Sequence, residues 1–138
     1  MTKDLWINLP VKDVKKSREF FTKIGFTQNT HFPETEQMSS LFAGTKNLVI
    51  MLCAEPVFQG FVQGKVADAR QSTEVLISFD AESREEVDEL AQKVKTAGGT
   101  IYANPGENQG WMYGFGFADL DGHRWNVLYM DMSKMPKG

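Results

Sequence analysis

Glu74 is the ionisable side chain best placed for chemistry in this sequence, because it lies in an alternating apolar and polar segment, residues 72–80, that predicts a β-strand. If Glu74 faces a cavity walled by Trp6 and other aromatic residues, the removal of water favours a general base. The alternative is a solvated carboxylate at a strand end, beside Arg70 or Lys65. Both interpretations stay open at this point.

Aromatic residues dominate the segment from residue 111 to residue 131. Trp111 and Tyr113 alternate with small or flexible residues up to Phe117, and Trp125 follows a turn that ends in Gly122. This pattern predicts a β-hairpin with rings on one face and bare glycine backbone on the other, where a ligand or another backbone can approach. The rings either line a ligand cavity together with Trp6 or fill a core.

Amide and thiol side chains supply the remaining candidates. Asn8 and Asn126 are predicted to point inward as hydrogen-bond partners of a polar ligand group, or of each other. Cys53 ends an apolar run and is predicted to be a buried, inert thiol. His31 and His123 are interpreted as surface or strand-end residues.

Composition excludes several classes of protein. Hydrophobic residues at 41% and charged residues at 24% are ordinary globular values. The net charge of −3 and the absence of a basic cluster argue against a nucleic-acid partner. No apolar stretch suffices for a membrane span, the amino terminus is charged where a signal peptide is apolar, and the single cysteine forms no internal disulfide. These features predict a cytoplasmic protein.

The order of elements repeats between the two halves of the chain. In the first half we predict a strand ended by Pro10, a helix capped by Asp13, and strands over residues 26–32, 38–42 and 47–53. In the second half we predict strand 72–80, a helix capped by Ser83, strand 100–103, a polar loop over 104–110 and the aromatic hairpin. Residues 55–70 are predicted to form one or two helical turns with exposed rings, either a flap or a packed linker.

This repeat predicts an α+β fold of two βαβββ modules that form a half-barrel around a shared cavity. The chain is interpreted as one domain, with module 1 over about residues 4–54, a connector over 55–71, module 2 over about 72–131 and a tail over 132–138.

Two motifs resemble the vicinal-oxygen-chelate superfamily, which includes glyoxalase I, extradiol dioxygenases and bleomycin-binding proteins. Residues 9–13 (LPVKD) with the following helix resemble its first strand and helix, and residues 117–123 (FADLDGH) with 125–127 (WNV) resemble its final hairpin. The resemblance covers about residues 4–131 and is closest to small bacterial proteins described as glyoxalase-like or as predicted lactoylglutathione lyases.

The resemblance implies metal ligands on the first and last strands of each half, which fall at Trp6, near Met51, at Glu74 and at Asn126. Only Glu74 is a strong ligand for a divalent ion, and such an ion wants about three protein ligands. We therefore expect a degenerate site that holds no metal.

Two functions compete at this stage. The first is a glyoxalase-like protein that binds a small, partly aromatic molecule through Trp6, Asn8, Met51, Trp111, Tyr113, Trp125 and Asn126, with Glu74 as the candidate catalytic group. The second is a metal-dependent lyase of the glyoxalase I type. A domain that only dimerises or docks to another protein is a further alternative, and the resemblance implies a homodimer.

Overall fold

A computed structural model describes residues 1–136, which divide into two compact units. The first unit is Met1–Asp68, and the second begins at Ala69. Each unit contains a four-stranded sheet whose first strand is followed by a helix. The predicted α+β class with two βαβββ modules is confirmed.

The first unit places its first and last strands side by side. Strands β1 and β4 pair in parallel, and the sheet order is β1-β4-β3-β2. Its elements are β1 (Trp6–Val11), α1 (Val14–Lys23), β2 (Thr27–Gln28), β3 (Met38–Ala43), β4 (Leu48–Ala54) and α2 (Glu55–Val62).

Helix α1 begins at the predicted cap, because the Asp13 side chain accepts a hydrogen bond from the Lys16 amide at 3.0 Å. Val14, Phe20 and Phe21 are buried on the helix, which contacts β2, β3 and β4. One face of the first sheet is therefore covered by α1.

The second unit repeats this arrangement, with a longer second strand of nine residues. Its sheet order is β5-β8-β7-β6, and β5 pairs with β8 in parallel. Its elements are β5 (Leu76–Asp80), α3 (Arg84–Ala97), β6 (Thr100–Asn108), β7 (Met112–Ala118), β8 (Arg124–Met130) and a 3-10 turn (Met132–Lys134).

Helix α3 also follows the sequence prediction at both ends. The Ser83 hydroxyl accepts from the Glu86 amide at 3.0 Å, and Gly98 ends the helix with a φ of 102°. Val87, Leu90 and Val94 are buried, and the helix contacts β6, β7 and β8.

Three predicted strand boundaries are wrong. Strand β1 continues through Pro10 to Val11, because β1 is the edge strand of its sheet and a proline is tolerated there. Strand β2 stops at Gln28 rather than residue 32, because the Asn29 side chain accepts the His31 amide and starts a local turn. Strand β5 begins only at Leu76, where β8 first offers a partner.

The predicted polar loop over residues 104–110 is also wrong in part. Strand β6 runs on to Asn108 and pairs with β7, with register shifts on either side of Ala103. These irregularities let Pro105 lie inside a strand. The reversal consists of Gln109, Gly110 and Trp111, of which Gln109 and Gly110 have positive φ.

Of the predicted tail, Lys137 and Gly138 lie outside the described residues. Within residues 1–136, no helix has the length and apolar character needed to cross a bilayer.

Candidate functional site

A cavity of about 780 Å³ lies on the first sheet of the protein. Val49 and Met51 line it, whereas Ile50 and Leu52 between and beyond them are fully buried. Alternate residues of a strand point to opposite faces, so the cavity occupies the face that α1 does not cover. The lining residues are Asp4, Leu5, Trp6, Asn8, Asn29, Phe32, Met38, Ser40, Phe42, Asn47, Val49, Met51 and Phe61.

Strand register arranges this lining in rows. In one row Trp6 is paired with Val49, which is paired with Phe42. In the next row Asn8 is paired with Met51, which is paired with Ser40. The first row is apolar, and the second has polar side chains on both sides of a methionine.

The polar row is extended by Asn29, which follows β2. Its Nδ2 donates to Ser40 Oγ at 3.1 Å, and its Oδ1 accepts the His31 amide at 3.1 Å. The Asn29 side chain is thereby fixed in one orientation, and the hydroxyl of Ser40 keeps its own hydrogen to donate. Ser40 and Asn29 were not predicted as site residues from the sequence, although the pairing of β3 with β4 places Ser40 beside Met51.

Cys53 lies at the end of β4 and is buried, as predicted. Its Sγ is 3.9 Å from Asn8 Oδ1, the distance of a weak thiol contact. Burial raises the pKa of the Cys53 thiol, which opposes formation of a thiolate nucleophile.

Helix α2 adds an aromatic ring to the cavity. The helix packs against β1 and β4, and the Phe61 side chain is 59% exposed although it lines the cavity. Trp6, at 57% exposure, is similarly accessible. The predicted helical turns are confirmed, with Phe61 exposed and Phe58 half-buried, whereas movement of this segment stays a prediction.

The two first-unit positions at which the resemblance implies metal ligands carry side chains that do not suit a divalent cation. At the positions that the resemblance implies, Trp6 offers an indole N–H and Met51 a thioether, and neither is a hard ligand. Across residues 1–136, no three His, Cys, Asp or Glu side chains cluster in a way that could hold a metal ion. The expectation that the protein binds no metal stays a prediction.

Trp125 is placed inside the second unit. Its ring is 1% exposed and stacks on Phe117 at 6.1 Å with an angle of 5° between the planes. Its Nε1 donates to Asp119 Oδ2 at 3.0 Å. Burial raises the pKa of the Asp119 carboxyl, although nearby His123 and the bond from Trp125 oppose that rise.

Trp111 and Tyr113 also belong to the aromatic side of the second unit. The Tyr113 hydroxyl donates to Asp88 on α3 at 2.7 Å, and the Arg84 guanidinium lies 5.0 Å from the Tyr113 ring centroid. The alternating rings of β7 therefore share the sheet face that α3 covers. Trp111 precedes β7, is half-buried, and has an Nε1 without a hydrogen-bond partner in the described part of the chain.

Asn126 lies on the opposite face of β8 from Trp125, and its Oδ1 is buried without a hydrogen-bond partner among residues 1–136. Glu74 is exposed and precedes β5. Counted back from the helix cap, Leu76 is the residue of the second unit that corresponds to Trp6, and the role of Glu74 stays a prediction. Of the predicted site residues, Trp6, Asn8 and Met51 therefore share one cavity, whereas Trp111, Tyr113, Trp125, Asn126 and Glu74 belong to the second unit.

Solved structures of other proteins are similar to this chain over more than 90% of its length. A hypothetical protein, SA1046 from S. aureus, is 36% identical, with 93% of this chain and 94% of that chain covered and a TM-score of 0.81. A glyoxalase/bleomycin resistance protein/dioxygenase family enzyme from Burkholderia phytofirmans PsJN is 20% identical, with 91% and 98% covered and a TM-score of 0.75.

The fosfomycin resistance protein FosX from Listeria monocytogenes, complexed with Mn(II) and sulfate, is 20% identical, with 97% of this chain and 94% of that chain covered and a TM-score of 0.70. That likeness concerns the fold alone. None of the curated proteins matches the sequence. The profile of the Glyoxalase/Bleomycin resistance protein/Dioxygenase superfamily matches residues 5–127, and the chain belongs to this superfamily.

Proposed function

We propose that this protein is a glyoxalase-like small-molecule-binding protein whose ligand lies in the cavity of the first unit. The observation that carries the proposal is the cavity itself, about 780 Å³ in volume and lined mainly by apolar and aromatic side chains with a few polar groups. Ordinary ligand pockets have this size and this composition.

The proposal includes a degenerate metal site. Trp6 and Met51 stand where the resemblance implies ligands, and their indole and thioether groups favour contact with an apolar molecule over a hard cation. Metal-dependent turnover of the glyoxalase I type is the alternative. We further propose a homodimer, a state that light scattering of the purified protein tests.

Methionine methyl groups provide a direct test of the cavity. Met38 and Met51 line it, whereas Met112 lies in β7 of the second unit. Protein labelled with ¹³C at the methionine methyls is titrated with neutral aromatic fragments and followed by NMR. We expect saturable shifts at Met38 and Met51, with Met112 unchanged. Equal shifts at all three, or none at any concentration, would contradict the proposal.

A cavity-filling substitution separates specific binding from loose association. Val49→Phe adds volume to the cavity and should abolish the saturable shifts. Leu48→Phe changes the neighbouring residue, which is exposed and does not line the cavity, and should preserve them. Loss of binding in both variants would indicate a general effect on β4.

A further inference from the structure

The aromatic side chains of the cavity favour a ligand with a flat, apolar ring. Trp6 and Phe42 lie on either side of Val49 in one row across the sheet, and Phe32 and Phe61 contribute rings from outside the sheet. Aromatic rings associate by stacking or by edge-to-face contact, and both need an aromatic partner.

Two hydrogen-bond donors flank Met51 in the second row. Asn8 carries an amide NH₂ group, and the contact of Cys53 Sγ is with the amide oxygen, which leaves that NH₂ group for a ligand. On the other side, Ser40 Oγ accepts from Asn29 and keeps its hydrogen to donate. Neighbouring strands lie about 4.8 Å apart, so an acceptor placed above Met51 is within reach of both donors.

The only charge that the described lining residues carry is negative. Asp4 is the sole ionisable residue that lines the cavity within the described part of the chain, and no Lys, Arg or His joins it there. A carboxylate, sulfate or phosphonate that entered would lose its hydration without gaining a cation. The Asp4 carboxylate would repel it as well.

From these three features we infer that the ligand is an uncharged, planar aromatic molecule with a hydrogen-bond acceptor, such as a carbonyl oxygen or a ring nitrogen, that lies over Met51 between Asn8 and Ser40. The inference rests on the proposed function, because it assigns a chemical class to the ligand of the same cavity. A preference for uncharged ligands would distinguish this cavity from sites that bind anions.

Three probes that share one ring system test the inference by isothermal titration calorimetry. They are 2-acetonaphthone, which is neutral and carries an acceptor, 2-methylnaphthalene, which lacks the acceptor, and 2-naphthoate, which is an anion. We expect 2-acetonaphthone to bind about tenfold more tightly than either of the others. If 2-naphthoate or 2-methylnaphthalene binds as tightly, the ligand class is wrong and the proposed function stands. If none of the three binds, the proposed function fails too.

Two adjacent serines of β3 supply a matched pair of variants. Ser40 lines the cavity and is only 2% exposed, whereas Ser39 lies on the opposite face of β3, is fully buried and donates to Glu34 Oε1 at 2.6 Å. Ser40→Ala should reduce the affinity ratio of 2-acetonaphthone to 2-methylnaphthalene several-fold, about as much as one hydrogen bond provides. Ser39→Ala should leave that ratio unchanged. The ratio cancels any general loss of folded protein, so an unchanged ratio in Ser40→Ala overturns the assignment.

Asp4 supplies a gain-of-binding test of the charge argument. Asp4→Lys places a cation at the lining and should raise the affinity for 2-naphthoate about tenfold, with little change for 2-acetonaphthone. An Asp4→Lys protein that still discriminates against 2-naphthoate as strongly as the parent would contradict the electrostatic part of the inference.

Discussion

Tyr102 lies directly over Gly116, so that a Cβ built at position 116 would be 2.4 Å from Tyr102 Cζ. The Tyr102 hydroxyl donates to the Trp125 carbonyl at 3.1 Å, and the Arg124 guanidinium lies 4.2 Å from the Tyr102 ring centroid. The bare glycine face predicted for β7 is therefore covered at Gly116 by a side chain of the same unit, which leaves no space for a ligand at that position.

Gly116→Ala is expected to destabilise the protein by about 1–3 kcal/mol. The new methyl group would displace the Tyr102 ring and break its bond to the Trp125 carbonyl. Urea unfolding followed by circular dichroism measures the change. In a Tyr102→Ala background the same substitution should cost less, because the obstructing ring is gone, and full additivity of the two changes would contradict the mechanism.

Two other glycines calibrate this prediction. At Gly114 a Cβ would be 2.2 Å from the Val127 carbonyl oxygen, which is backbone and cannot swing away, so Gly114→Ala should cost more than Gly116→Ala. At Gly60, in α2, a Cβ would meet no atom within 4 Å beyond its chain neighbours and the backbone of its own helix, and Gly60→Ala should stabilise the helix by about 0.5–1 kcal/mol.

The sequence was sufficient for features that depend on local chemistry. The caps at Asp13 and Ser83 and the repeated strand–helix order were all predictable, because each is decided within a few residues. The end of β1 was not, since a proline stops a central strand but not an edge strand, and edge position depends on the whole sheet. Strand β6 was misread for a similar reason, because a bulge accommodates its proline.

The candidate site was predictable only where alternation alone decided the face. Alternation grouped Trp6 with Asn8, and both line one cavity with Met51. Alternation does not show which face of β7 the helix covers. Trp125 was therefore predicted to bind a ligand, and in the structure it is packed within the second unit. Tyr102 escaped notice because its position at Gly116 follows from a register shift.

Asp119→Asn should destabilise the second unit by about 1–3 kcal/mol. Asp119 Oδ1 accepts the amides of Asp121 and His123, both at 3.0 Å, while Oδ2 accepts Trp125 Nε1 at 3.0 Å. An asparagine has one acceptor oxygen, so either the turn amides or the indole would face an NH₂ group. Chemical denaturation measures the loss, and the near-ultraviolet circular dichroism of the tryptophans reports which contact breaks.

The same substitution at Asp13 is the control. Asp13 uses one carboxylate oxygen to cap α1, and asparagine caps helices about as well. Asp13→Asn should therefore change stability by only a few tenths of a kcal/mol. A comparable loss at both positions would show that removal of the charge, rather than of an acceptor, is responsible.

Stability should fall in acid because of Glu34. Arg18 donates to Glu34 Oε2 and Ser39 to Oε1, and the hydrogen bond from Arg18 is the main cause that holds the pKa of Glu34 below its ordinary value. A carboxyl whose pKa is lower in the folded state stabilises the protein above its unfolded pKa. The ordinary pKa of a glutamate is about 4.3. The stabilising contribution of Glu34 therefore declines below about pH 4.3 and is lost as the pH falls through the lower pKa of the folded state.

Glu34→Gln removes the titrating group and should flatten this part of the stability profile, measured as urea midpoints from about pH 7 to about pH 3. The pair is partly exposed, so the effect should also shrink in high salt. Arg18→Met should flatten the same window. A profile that keeps its acid slope in both variants would assign the slope to other carboxyls.

Glu74→Gln should preserve the fold while weakening any ligand binding or turnover in which Glu74 acts as a base. Glu74 is exposed and precedes β5, so the neutral amide disturbs no packing, yet it cannot accept a proton. Thermal unfolding checks the first part. Titration with 2-acetonaphthone checks the second, and it decides whether Glu74 acts on a ligand of the first-unit cavity, which Glu74 itself does not line. Glu82→Gln, at another exposed position, is the control. Unchanged binding and turnover in Glu74→Gln would remove Glu74 from the candidate site.

Protein purified without a chelator should contain much less than one equivalent of nickel, zinc, manganese or iron, as measured by mass spectrometry of the metals. The reason is the chemistry of Trp6 and Met51, whose indole and thioether groups are poor ligands for these divalent ions. Addition of EDTA should accordingly leave both the unfolding midpoint and the binding of 2-acetonaphthone unchanged. If a stoichiometric metal is present, and EDTA removes both the metal and the binding of 2-acetonaphthone, the metal-dependent lyase is favoured instead. Ligand binding would then depend on the metal ion.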